Sequence, residues 1–240
     1  MIDPVRELRA FVHAALLDPV PRDHTQSRTA LVRRRVVAAL TLVAGTILLG
    51  VGLHIPAGAP GFYPVTLALA AVWAVGALAS GPLHLGHAWT RQGGIGRPVV
   101  QSAALAALLI GLFLAGALVV ARIPVLRGPV DALLDHARVG SLWVVALVTI
   151  LNGIGEELYF RGALFAAIGR RHAVAVTTVL YTLTTATSGI PLLVFAAAVL
   201  GLVCGLQRRV TGGVLGPILV HIAWSSTMLF LLPPLLDLLR

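Results

Sequence analysis

Apolar residues dominate the chain beyond residue 35 in seven runs, at 36–53, 63–80, 99–121, 142–168, 173–187, 190–206 and 214–232. Most approach the ~20 residues that cross about 30 Å of hydrocarbon as a helix. The pattern predicts an all-α, polytopic transmembrane helix bundle of about seven spans. The fifth and sixth runs are short, and Ser188, Gly189, Ile190 and Pro191 between them are a turn signal. That pair fits a tight helical hairpin within the bilayer. The fourth run would measure about 40 Å as one helix, so it is expected to tilt or to enter from the interface. Before the runs, Val5, Leu8, Phe11, Val12, Ala15 and Leu16 recur at helical spacing, with Arg6, Arg9 and His13 elsewhere. This reads as an amphipathic helix on the inner membrane surface or as a loosely ordered tail. Residues 18–29 read as a linker. The organisation expected is an N-terminal segment at 1–35, three spans within 36–139 and a helical core at 140–234.

Composition excludes a soluble protein. Hydrophobic residues make up 58% and charged residues 11%, and the mean hydropathy is +0.94, whereas a soluble chain carries about 25% charge. The formal charge of +9 comes from arginine alone, since lysine is absent. Most of these arginines flank apolar runs, where they set topology; they do not form a phosphate-binding face, and no nucleic-acid partner is expected. Thirteen, Arg170 among them, fall on the N-terminal side of the membrane and four, Arg240 among them, on the other. The excess places the N-terminus in the cytoplasm and calls for an odd number of spans. The first 35 residues hold seven arginines and lack a cleavage-type junction, which argues against a signal peptide. Arginine without lysine, with abundant Ala, Val and Gly, suggests a GC-rich prokaryotic genome and hence a prokaryotic plasma membrane. Cys204 stands alone, so neither a disulfide nor a cysteine metal site forms within one chain.

Chemistry concentrates in the fourth run, which contains Glu156, Glu157 and Arg161. Each such residue costs about 2.5–3.5 kcal/mol at a helix centre facing lipid, so all three must face protein or a wet cavity. Arg161 follows Glu157 by four residues, the favourable order for an ion pair on one face. Glu156 lies about 100° round the helix and is left free to act as a general base. Asn152 and Tyr159 fall on the Glu156 face and could orient a water or a carbonyl. Gly153 and Gly155 permit close approach of another helix or of a substrate backbone. In the last run His221 shares a face with Trp224 and Ser225. In the fifth, Thr178, Thr182 and Thr185 lie beside Thr177, Tyr181 and Thr184; they read as helix packing or as a polar lining opposite Glu156. His84 and His87 lack a third ligand for a metal, and Gly201 with Gly205 reads as a helix-contact motif.

Glu156, Glu157 and Arg161 stand in the order E-E-x-x-x-R, which resembles the signature of the CPBP family of intramembrane proteases, the type II CAAX prenyl endopeptidase family. The stretch from Gly201 to His221, with its basic loop and Thr211–Gly212 turn, resembles that family's third region. The likeness covers about residues 142–232. It implies hydrolysis of a peptide bond in a membrane protein or peptide; no cofactor is expected for this chain. Glu156 would activate water, Glu157 and Arg161 would support it, and His221 would be the third-motif histidine. Two positions depart from the pattern. The second motif, F-x-x-x-H, falls on Tyr181 to Thr185, and the third, H-x-x-x-N, on His221 to Ser225. Losing one such group typically costs ~10²–10⁴ in rate, which Tyr181 or a water held by Thr185 would have to offset. One remaining motif histidine gives no zinc site. The alternatives are a weakened or inactive relative acting as a binding, immunity or scaffold factor, and a small transporter; the lack of paired repeats with broken helices disfavours the transporter.

Overall fold

The computed structural model describes residues 3–169 and 171–239; residues 1 and 2, Arg170 and Arg240 lie outside it, and with them that part of the arginine count. Helix α1 (Pro4–Val12) begins on the Asp3 carboxylate, which accepts from the Val5 and Arg6 amides, and runs into a π-helical turn at His13–Leu17. Next come α2 (Arg28–His54), α3 (Phe62–Ser80), an antiparallel ribbon of β1 (Ala88–Trp89) and β2 (Ile95–Gly96), and α4 (Val99–Val120). After the amphipathic α5 (Pro124–Val139), α6 (Leu142–Glu157) continues through a π-helical segment, Leu158–Leu164, into α7 (Phe165–Ile168). The described chain ends with α8 (Ala173–Ala186), α9 (Pro191–Thr211) and α10 (Leu215–Leu238).

Six of these helices are long and apolar enough to cross a membrane, counting the rod from α6 to α7 as one. The fifth apolar run is α8, whose 14 residues cover about 21 Å, less than the hydrocarbon thickness. The turn after it matches the pattern: Gly189 has φ +69°, Ser188 Oγ accepts from the Ile190 amide, and Pro191 opens α9. The sixth run reaches Thr211 as 21 helical residues, so α9 is long enough to span where its hairpin partner is not.

Each outer helix buries one stripe, as in α2 with Arg34, Ala38, Thr41, Gly45 and Gly52. Leu40, Val43 and Ile47 of the same helix, Val75 and Leu78 of α3, and Leu108 and Leu112 of α4 stay exposed as an apolar perimeter. With every helix satisfying its own backbone, such a perimeter suits a bilayer and not water. The rod from α6 to α7 is different: Tyr159 to Phe165 are all buried, because α2, α3, α8, α9 and α10 surround it.

Small residues set the spacing. A Cβ on Gly155 would sit 2.9 Å from the Ala70 carbonyl of α3, and Gly205 lets α9 close onto Val174 of α8. At one end of the bundle, arginines meet backbone carbonyls in the last turns of helices and just past them. Arg22 donates to the Arg209 and Val210 carbonyls, Arg34 to Pro82 and Arg35 to Ala167. At the other end Arg138 joins Asp131 and Asp135 of α5 to Asp237 of α10.

Candidate active site

Glu157 and Arg161 form the ion pair that their spacing predicts, with Nη1 donating to Oε1 at 2.9 Å and both side chains fully buried. The same Oε1 lies 2.9 Å from His221 Nδ1, so this carboxylate is gripped from two helices. Sequence spacing gives no hint of that bond, since the partners are 64 positions apart. Gly153 lies beside the ring, where a Cβ would meet His221 at an ordinary contact distance of 3.6 Å.

Glu156 has a different partner. Tyr181 of α8 donates its hydroxyl to Glu156 Oε2 at 2.6 Å, and its ring lies under the Arg161 guanidinium, 4.8 Å from Cζ to the centroid. The stacking is a cation–π contact. One aromatic residue thereby touches both the lone carboxylate and the ion pair's cation. Arg208 of α9 adds a tie from below, donating Nε to the Arg161 carbonyl at 2.6 Å. That carbonyl lies in the π-helical stretch, a geometry that recurs at functional sites.

Glu156, Tyr181, Thr185, His221, Trp224 and Ser225 line one partly open cavity of about 160 Å³, together with the apolar Leu49, Leu53, Leu193, Ala196, Ala197 and Leu200. The hydroxyl of Thr185 donates to the Tyr181 carbonyl, and that of Ser225 turns back to the Ile222 carbonyl at 3.4 Å. Both spend their proton on their own helix.

Two residues assigned to the Glu156 face lie elsewhere. Asn152 donates to the Thr66 and Val148 carbonyls and fastens α6 to α3. Tyr159 is fully buried, donates to the Ala38 carbonyl at 2.6 Å and stacks on Trp73. Neither reaches the cavity. On a helix packed against several others, sharing a face with Glu156 means meeting a different neighbour at each turn. His84 also serves structure, stacking on His24 while its carbonyl accepts from the Val214 amide at the start of α10. A larger hollow, of about 440 Å³, lies between α1 and the β ribbon beside His13, Asp18 and Trp89, away from the acidic pair. Among the described residues no three His, Cys, Asp or Glu side chains gather as a metal site.

Fold and site together define a multi-pass membrane protein with a buried Glu–Arg–His cluster beside a second carboxylate in a cavity. Residues 138–227 match the family model of type II CAAX prenyl endopeptidase Rce1-like proteins, which supports CPBP family membership. The matched stretch runs from the end of α5 into α10 and contains Glu156, Glu157, Arg161, Tyr181 and His221, while Leu49 and Leu53 of the cavity lining lie before it. No curated protein and no solved structure matches the chain.

Proposed function

We propose that the chain is an intramembrane endopeptidase in which Glu156 activates water against a peptide bond held in the cavity. The supporting observation is that Glu156 and His221 line one cavity while Glu157 and Arg161 lie behind them. Tyr181 occupies Oε2 of Glu156 and leaves Oε1 for a water. Glu156 takes a proton from that water as its oxygen adds to the scissile carbonyl carbon. Glu157 accepts Nδ1–H of His221 and fixes the ring; in the imidazolium form, with hydrogen on both ring nitrogens, Nε2–H donates to the carbonyl oxygen as it becomes an oxyanion. The carbon–nitrogen bond then breaks and Glu156 returns its proton to the departing amine. Thr185 and Ser225 take no proton-transfer role, and Tyr181 provides the hydroxyl at the second motif. The arginine-rich end faces the cytoplasm of a prokaryotic cell, with α1 on the inner surface of the plasma membrane.

A second reading, a non-catalytic relative that binds membrane proteins or peptides, is favoured by one observation: both hydroxyls at the altered motif positions are tied to backbone. Purified wild-type and Glu156→Gln proteins, incubated with a library of transmembrane peptides and read by mass spectrometry, separate the two. Cleavage by wild type alone supports the peptidase. Cleavage that survives the substitution removes Glu156 from its role, and binding without cleavage by either protein favours the non-catalytic reading.

A further inference from the structure

Topology accounts for arginines at a membrane surface that stay exposed, such as Arg28, Arg33 and Arg35. It does not account for Arg208, which sits in the last turn of α9 and is only 6% exposed. Its Nε donates to the Arg161 carbonyl, and its Cζ lies over the Phe165 ring, 5.0 Å from the centroid. A guanidinium also carries donors on Nη1 and Nη2. Among the described residues no protein acceptor meets either of them in Arg208. The neighbouring charges have the same sign, since Arg22 and Arg34 both repel it. Arg34 is itself 4% exposed and spends its bonds on Gln26, Ser80 and the Pro82 carbonyl. No carboxylate pairs with Arg34 or Arg208 among the described residues, and Asp23, beside Arg22 in sequence, is exposed. A charge taken out of water is costly unless an opposite one meets it. His84 feels the same field: partial burial first, then Arg208 and Arg34, hold its imidazole below the ordinary value.

We propose that Arg208, together with Arg22 and Arg34, seats one anionic phosphate group at the arginine-rich end of the bundle, carried by a lipid headgroup or free in solution. Guanidinium forks take phosphate oxygens in parallel N–H···O bonds, and basic pockets between membrane helices take anionic headgroups. The seat lies outside the lining of the Glu156 cavity and stands without the peptidase reading. One side chain joins it to the acidic cluster, because the guanidinium that holds the phosphate also holds the Arg161 carbonyl in the π-helical segment.

The test titrates full-length protein in an uncharged detergent with short-chain phosphatidic acid, with phosphatidylcholine of the same chain length, or with inorganic phosphate. Bound lipid is counted by native mass spectrometry. Phosphatidic acid is expected to bind at one per chain, and phosphatidylcholine, whose choline cation the arginines repel, about tenfold or more weakly. Losing hydrogen bonds to a charged group costs about tenfold or more in affinity, so Arg208→Gln should weaken phosphatidic acid by that factor. Arg91→Gln removes the same charge from the exposed ribbon and should change binding by less than about twofold. Phosphatidic acid that inorganic phosphate cannot displace places the source in the bilayer; displacement, or a His84 response to inorganic phosphate alone, places it in solution. Arg208→Gln also loses the tie to Arg161, so wild type carries a second readout that needs no variant at that position. NMR of isotope-labelled histidine, with the His84 signal assigned by its loss in His84→Gln, should show the His84 midpoint rising as the anion binds, because the anion offsets the arginines that lower it. Equal loss in Arg208→Gln and Arg91→Gln, equal binding of the two lipids, or a His84 midpoint unmoved by every probe overturns the seat.

Discussion

Arg161→Met asks how much of the bundle's stability depends on compensating one buried charge. The guanidinium is fully buried, 2.9 Å from Glu157 Oε1, and lies over the Tyr181 ring. Methionine keeps an unbranched apolar chain as far as the ε position and removes the charge. Breaking a buried pair by deleting one partner costs about 3–5 kcal/mol, because the other charge stays behind. The lost cation–π contact adds about 0.5–2 kcal/mol. Two corrections run the other way: Arg161 Nε and Nη2 are buried without acceptors, and His221 still reaches Glu157. We expect a net loss of about 3 kcal/mol. In Glu157→Gln/Arg161→Met both charges leave together, and the amide oxygen can still accept from His221. Replacing a whole buried pair is often close to neutral, so the double variant should exceed Arg161→Met in stability by about 2 kcal/mol. Equilibrium unfolding in mixed micelles, followed by tryptophan fluorescence across wild type, both single variants and the double, measures the cycle. Strict additivity refutes the coupling, and a single-variant loss below about 0.5 kcal/mol refutes the pair.

Four further outcomes are expected. Tyr181→Phe keeps the ring over Arg161 but removes the donor to Glu156; a hydrogen bond to a charged group contributes about 1.5–3 kcal/mol to the folded state, so stability should fall by about that amount and peptide hydrolysis should fall at least about tenfold. Tyr159→Phe should separate the two readouts, losing about 1 kcal/mol of stability with its bond to Ala38 and no activity, as read by the same unfolding and cleavage assays. Gly155→Ala forces a Cβ to 2.9 Å from the Ala70 carbonyl, and unfolding should show the roughly 1–3 kcal/mol loss of an overpacked contact. Asp131 titrates at the end of the bundle outside the spans: burial opposes its ionisation, but hydrogen bonds and charges from Arg127 and Arg138 outweigh this and hold the carboxyl below its ordinary value. A depressed pKa gives stability that is present above the unfolded value of about 3.9 and is lost as pH falls through the folded one. Unfolding from pH 7 down to pH 3 should therefore show wild type above Asp131→Asn until about pH 4, with the gap closing below; a gap independent of pH would remove the ion pairs from the account.

Hydrophobic period and cost fixed a good deal without coordinates. Runs of near-bilayer length can do little but form helices, and three ionisable groups in one of them cannot face lipid; the i, i+4 spacing then pairs Glu157 with Arg161 because local helix geometry leaves little choice. The turn at Ser188 to Pro191 was legible for the same reason, its determinants being local. What lay beyond the sequence was every partner drawn from another helix. His221 bonds Glu157, Tyr181 rather than a neighbour on α6 bonds Glu156, and Asn152 and Tyr159 turn to α3 and α2. Rotation and depth of one helix against the next are set by packing at positions such as Gly155, where a missing methyl group decides how near two backbones come. That decision is taken jointly by residues far apart in the chain, and no spacing within a single helix contains it.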